Sequence, residues 1–332
     1  MQRADGCHAP IAACGDTEVP GRDGCTAVGV TTCAEGFVCS IVRDMLSSRS
    51  KQGGIGVVAD DEVMRKIRSS LTITGSVIER ARSTAVSLSG AVARIERTTV
   101  RETLPTEKSR IGGFGITALD SSDLTLTDSI VRDSRTAAIG VILGSVTLER
   151  CVIRDTREQL SDMTGGLGIL AVVDERKRVP PVVNVTSTLI ARSRSAGILL
   201  HGAEGRILDS AIRDTAPQLL GGLFGDGIYV SAAGAEVVAA NVVVQGTLVE
   251  RSARAGLIVQ GATAKVSGGL LLCNGFDLEA SRWFETTAAG DKLENDFTLE
   301  DGGNNGCGCA PASRACRAQS NGLDPIPTPR VR

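Results

Sequence analysis

A five-residue phrase returns eight times between Ser40 and Arg251: a small residue, any residue, Ile or Val, then two mostly charged residues. It reads Ser40-Ile41-Val42-Arg43-Asp44 and starts again at Ser76, Thr98, Ser129, Cys151, Thr188, Ser210 and Thr247. The intervals are 36, 22, 31, 22, 37, 22 and 37 residues, so short and long units alternate. After each anchor comes Gly or Ala and an apolar–any–apolar run, as in Gly197-Ile198-Leu199-Leu200 and Gly227-Ile228-Tyr229-Val230. A third run, such as Leu124-Thr125-Leu126, precedes the next anchor. Each unit thus holds three short segments of period two, separated by turn residues.

A unit of about 22 residues cannot close a core alone and must stack on its neighbours. Three short strands per turn, stacked in register, predict an all-β fold. The expected form is a single-stranded right-handed parallel β-helix, a solenoid of roughly nine rungs, with disulfide-rich terminal segments. Leucine-rich repeats share the period, but their L-x-x-L-x-L-x-x-N phrase and helix-like return do not occur. A two-domain α/β fold needs crossover helices, for which no unit has room. Aromatic residues are only 2% of the chain and hydrophobic residues 42%, so Val, Ile, Leu and Ala are expected to fill the core. The expected organisation is a Cys-rich segment over 1–39, the coil over 40–285 and a Cys-containing cap and tail over 286–332.

Ten cysteines are placed unevenly. Cys7, Cys14, Cys25, Cys33 and Cys39 open the chain, and Cys307, Cys309 and Cys316 lie near its end. Such clusters read as disulfide-stapled caps, with Cys273 near the last three and Cys151 a buried thiol. The spacings lack the paired C-x2-4-C units usual for zinc, so no metal site and no cofactor is expected. Disulfides imply an oxidising compartment, extracellular or cell envelope. Met1-Gln2-Arg3-Ala4 opens no apolar h-region, which points to a mature or truncated chain or to a misassigned start. No apolar run reaches the length of a membrane-spanning helix. The formal charge of −2 excludes a polycation built to bind nucleic acid.

The anchor and Gly-Ile phrases together resemble the right-handed parallel β-helix repeat of the pectate-lyase-like superfamily, over roughly residues 40–280. The stretch from Cys14-Gly15-Asp16 through Cys33-Ala34-Glu35-Gly36-Phe37 is similar to the Cys-rich leader before such repeats in secreted bacterial proteins. That superfamily holds lyases, hydrolases, epimerases and members without known activity, so the fold does not give the function. The resemblance implies acidic calcium ligands with an Arg or Lys base for a lyase, and Asn-Thr-Asp, Asp-Asp and Gly-His-Gly for a hydrolase. Arg178-Val179-Pro180, Asn184-Val185-Thr186, Asp60-Asp61 and Leu200-His201-Gly202 are each incomplete matches on unrelated rungs.

The chain therefore reads as an exported, non-catalytic repeat protein that presents a loop-lined face to a polysaccharide or cell-surface partner. The alternatives are a polysaccharide lyase or glycoside hydrolase, and a purely structural spacer. Four long segments, 45–55, 103–114, 156–167 and 215–226, leave the same corner on alternate rungs, about 10 Å apart. They share the pairs Gly53-Gly54, Gly112-Gly113, Gly165-Gly166 and Gly221-Gly222. Arg49, Lys51, Lys108, Arg110, Glu158 and Asp162 are the exposed binding candidates there, with Phe224 and Asp226 in the more apolar fourth segment. Asp226 reads either as a turn aspartate or as a ligand-binding residue. His201 reads as a surface histidine pointing away from the core, and Trp283-Phe284 as a plug on the end of the coil.

Overall fold

The computed structural model describes residues 18–21, 24–27, 41–45, 53–60, 68–234, 237–286, 290, 292–309 and 315–327. The chain is a right-handed parallel β-helix. Its coil is three parallel sheets of nine, nine and ten strands, each strand bonded to its counterpart one turn earlier and later. One rung is an anchor strand of three residues, a strand of six and a strand of five. In rung 4 these are Ile130–Arg132, Ala137–Ile142 and Ser145–Glu149. Register is strict: Ile139 lies beside Ile116 and Ile169, and Leu148 beside Leu126 and Val185.

The interior is a column of aliphatic side chains, one or two per strand per rung: Val131, Ile139, Val141, Val146 and Leu148 in rung 4, all fully buried. Among the described residues no aromatic ring belongs to this central cluster. Phe114, Phe224 and Tyr229 instead lie in a second cluster on the outer side of the six-residue sheet. The small residue that opens each anchor phrase has a physical reason. Its hydroxyl is buried, donates to the carbonyl two residues back and accepts the amide of the preceding rung. Ser129 Oγ donates to Thr127 O at 2.7 Å and accepts from Thr98 N at 3.0 Å. Thr188 and Ser210 continue this ladder. Cys151 interrupts it with a free, buried thiol aimed at the Leu126 and Glu149 carbonyls; burial pushes that thiol up to about 12.

The fifth anchor residue turns the chain with positive φ on every rung, from Asp44 (57°) to Arg251 (52°). Stacked turns bring opposite charges together: Arg80 on Asp44, Arg192 on Asp155 and Arg251 on Asp214, each at 2.6 Å. Asp133 and Asp155, like charges on consecutive rungs, are answered by Arg132 and Arg154.

Two features depart from the repeat reading. A second corner, between the six- and five-residue strands, also carries insertions: residues 173–181 and 232–240, and the hairpin Trp283–Thr286 with Lys292–Asn295. Strands Thr298–Asp301 and Gly306–Gly308 still join the stack after that hairpin, so coil pairing continues past residue 285. Trp283 is buried at this second corner, but Phe284 is 63% exposed, so the pair is not a plug.

Disulfides Cys273–Cys309 and Cys307–Cys316 staple the far end; Cys273 lies beside the last three cysteines as expected, and the structure supplies the pairing that the sequence leaves open. The side chains of Cys7, Cys14, Cys25, Cys33 and Cys39 lie outside the described residues. The hairpin formed by Glu18–Gly21 and Gly24–Ala27 lies against the anchor strand Leu189–Ala191. No helix among the described residues is long and apolar enough to cross a membrane.

Candidate functional site

The three long loops among the described residues, those of rungs 3, 5 and 7, leave one corner of the coil and overhang the outer face of the six-residue sheet. They share one internal closure: Thr106 N donates to Ile111 O, Gln159 N to Thr164 O, and Gln218 N to Leu223 O. This closure corrects the alignment of the fourth loop. The residues equivalent to Gly112-Gly113 and Gly165-Gly166 are Phe224-Gly225, not Gly221-Gly222, which stands at the loop tip. The carbonyls of Gly54, Gly113, Gly166 and Gly225 all accept the amide of an arginine on the next rung. Glycine is required there: at Gly166 (φ 85°) an added Cβ would stand 2.4 Å from the Arg194 Cβ.

Those arginines are a component that the repeat phrases do not single out. Arg82, Arg135 and Arg194 occupy the four-residue corners of the short rungs. Each reaches up to a carbonyl at the base of the next long loop, at Pro105, Glu158 and Pro217 respectively (3.3, 3.0 and 2.9 Å). Their signal in the sequence is the recurring Arg-Ser/Thr pair: Arg82-Ser83, Arg135-Thr136 and Arg194-Ser195. Burial, and then the neighbouring Arg157 charge, lower the Arg135 pKa from its ordinary value.

The expected site residues separate into two groups. Lys108 and Arg110 are exposed on the third-rung loop, and Asp162 is exposed on the fifth-rung loop. Asp162 also shapes its loop, accepting from the Gln159 amide group and from Thr164 N. Glu158, expected to be exposed, is buried; it accepts the Leu219 amide at 2.8 Å and so ties the fifth-rung loop to the seventh-rung loop. Phe224 and Asp226 are buried as well. Arg49 and Lys51 lie outside the described residues.

At rungs 2 and 3 the loop and the sheet border a half-open cavity of about 250 Å³. Six hydroxyl residues line it, Ser83, Thr84, Ser87, Thr106, Ser109 and Thr117, together with Phe114. The same loop carries Lys108 and Arg110.

At rungs 7 to 9 the face is different. Asp226 is fully buried and forms a two-pronged ion pair with Arg254, whose guanidinium also lies 4.9 Å over the Phe224 ring. Burial pushes Asp226 up to about 6, against the pull of Arg254. Tyr229 is buried and bonds to Gln260, and burial raises its pKa. His201 does point away from the core, but it is half-buried rather than a free surface group. Its Nδ1 pairs with Ser231 Oγ at 2.8 Å, and burial lowers its pKa to about 4.

No family model matches the chain, and no curated protein matches it. Two solved structures are similar in fold. One is the enzymatically active domain of bacteriophage CBA120 tailspike protein 2, with TM-score 0.43 and 12% identity over 72% of this chain and 40% of that one. The other is full-length tailspike protein 2 from the Escherichia coli O157:H7 bacteriophage CAB120, with TM-score 0.40 and 12% identity over 72% of this chain and 35% of that one. The chain therefore spans less than half the length of either.

Proposed function

We propose that this chain is an exported, non-catalytic β-helix that binds an acidic polysaccharide at the loop-lined face of rungs 2 and 3. The observation that carries the reading is the hydroxyl-lined cavity beneath the loop that bears Lys108 and Arg110. Serine and threonine hydroxyls both donate and accept, which suits the hydroxyls of a sugar, while two exposed cations suit its carboxylates or sulfates. The ring beside them, Phe114, is buried, so recognition rests on hydrogen bonds and charge rather than on stacking. Replacing residues 103–114 by a four-residue corner like that of rung 4 is expected to leave folding intact and abolish retention on acidic polysaccharide columns. Retention that survives the shortening places the binding face elsewhere.

A lyase or hydrolase is the second reading: burial raises the Asp226 carboxyl to about 6, the range of a general acid or base, but that carboxyl is fully buried against Arg254 and could meet a substrate only once the residues covering it move. Incubation with acidic and neutral polysaccharides, with and without Ca²⁺, separates the two readings. New unsaturated or reducing ends support the enzyme; their absence alongside retained binding supports the lectin-like protein.

A further inference from the structure

The outer face of rungs 7 to 9 is covered by residues 319–327 of the same chain, and the cover is made in an unusual way. After Cys316 the chain runs back down the stack, across the strands. Gln319 pairs with rung 9 through Leu278 O and Ala280 N, at 2.9 and 2.8 Å. Glu279, fully buried, accepts from Asn321 N at 2.6 Å and from its Nδ2 at 3.0 Å. One rung lower, Gln260 Nε2 donates to Leu323 O at 2.6 Å, and Arg254 Nη1 donates to Asp324 O at 2.7 Å. Ile326 then reaches rung 7, where it is buried in the same outer cluster as Tyr229.

The sheet thus holds this segment largely by its main chain. Side-chain anchorage is confined to Asn321, to half-buried Leu323 and to buried Ile326; Gly322, Asp324, Pro325 and Pro327 are exposed. Two cavities open on either side of Leu323 and Asp324. One, of about 430 Å³, reaches Gln260, Trp283 and Phe284; the other, of about 440 Å³, reaches Phe224, Arg254 and Phe276. Lifting the segment would join them into one trough whose floor carries Asp226, Arg254, Tyr229, Gln260 and Glu279. A cover that served only to shield apolar surface would not be laid over two buried carboxylates.

We propose that this trough is a binding site for an extended peptide, and that residues 319–327 fill it in cis as a displaceable strap. The ligand class follows from the contacts: an extended chain offering carbonyls to Gln260 and Arg254, an amide to Glu279, and two apolar side chains three residues apart. This site lies apart from the glycan face at rungs 2 and 3 and does not depend on it.

The test uses a chain ending at Arg317 and a synthetic peptide of residues 318–332. Trp283, the sole tryptophan, lines one of the two cavities and reports on occupancy. The shortened protein is expected to unfold in one cooperative transition and to change its fluorescence saturably as peptide is added. Glu279→Gln in that background is expected to weaken the peptide about tenfold by loosening its charged hydrogen bonds, while Lys265→Ala on the neighbouring sheet leaves it unchanged. A folded shortened chain with no saturable response overturns the proposal, and so does a shortened chain that no longer folds. Independently, in the full chain, the Gln319 and Asn321 amides should exchange hydrogen about 100-fold faster than those of Ile228 and Val230, because the strap opens without the coil. Equal protection overturns the proposal.

Discussion

The outer face of the six-residue sheet is two surfaces on one lattice. Over rungs 2 and 3 it is open, lined with hydroxyls and carries its charges on an exposed loop. Over rungs 7 to 9 it is closed, and its charges are buried beneath a strap. The backbone barely distinguishes them, since strand lengths and register are the same. The difference lies in where one arginine stands. Arg82, Arg135 and Arg194 hold up the loop of the rung above. Arg254 is one place later in its corner, and only Asn274 and Gly275 stand in the corner above it. With no loop to support, it turns down to Asp226, beneath Phe224, and out to the strap. Phe224 adopts φ 66° where the other loops have glycine, at a cost of about 1–2 kcal/mol, offset in part by its contact with Arg254. A one-place shift of a single side chain thus accompanies the change from an open corner to a sealed one.

Removing Arg254 should break the closed surface most severely. Arg254→Ala leaves Asp226, with no exposed surface, as an unpaired charge, and is expected to cost about 3–5 kcal/mol at pH 7 by urea unfolding. The loss should shrink as the pH falls and Asp226 takes up a proton. A defect independent of pH would mean that the carboxyl is not the group left stranded.

The wild-type pH profile comes next in size. Burial raises Asp226 to about 6 from 3.8, so the folded state favours its protonated form. Its contribution is therefore full below about pH 4, declines as the pH rises to about 6 and is constant above, a change of about 2–3 kcal/mol. Asp226→Asn should flatten that window. Asp155 has the opposite sign: against the pull of burial, hydrogen-bonded Arg192 holds it below the usual range, so its contribution is lost as the pH falls below about 4. Urea midpoints between pH 2 and 7 separate the two.

Most of the coil was legible in the sequence because a repeat states the same constraint many times. The small residue of the described anchors other than Cys151 forms the buried hydroxyl ladder, the Ile or Val faces the core, and the final charge sits in a left-handed turn beside its neighbours. What was not legible occurs once. The burial of Glu158 depends on the seventh-rung loop 61 residues away, and that of Asp226 and Glu279 on the loops and the returning tail. Gly221-Gly222 looked equivalent to the other glycine pairs because spacing cannot reveal that Phe224 has taken a glycine's conformation. The tail itself carries no repeat, so nothing in its composition points to the face it covers.

A loop-supporting arginine should matter less than the sealed one. Arg135 donates to the Glu158 main-chain carbonyl from a half-buried position, and the buried Glu158 carboxylate keeps its hydrogen bond from Leu219 N when Arg135 is removed. Arg135→Ala is expected to cost about 1 kcal/mol, with faster hydrogen exchange confined to the loop over 156–167. A loss as large as that of Arg254→Ala would show that both corners are sealed in the same way.

The smallest effect on stability should accompany the largest effect on binding. Lys108 and Arg110 are exposed and lie outside the coil's hydrogen-bonded sheets. Lys108→Ala with Arg110→Ala is therefore expected to move the unfolding midpoint by no more than about 0.5 kcal/mol. If the open face binds an acidic polysaccharide, the same pair of substitutions should weaken binding about tenfold at low salt, because two solvent-exposed charges no longer meet the polymer. The gap between wild type and variant should close as salt is added, since screening removes from the wild type what the substitutions removed from the variant. Hydroxyl contacts are not screened, so Thr106→Val with Thr117→Val should weaken binding equally at low and high salt. A charge variant whose defect persists at high salt would move recognition from the loop's cations to its shape. An unaffected hydroxyl variant would take the cavity out of the binding face while leaving the loop in it.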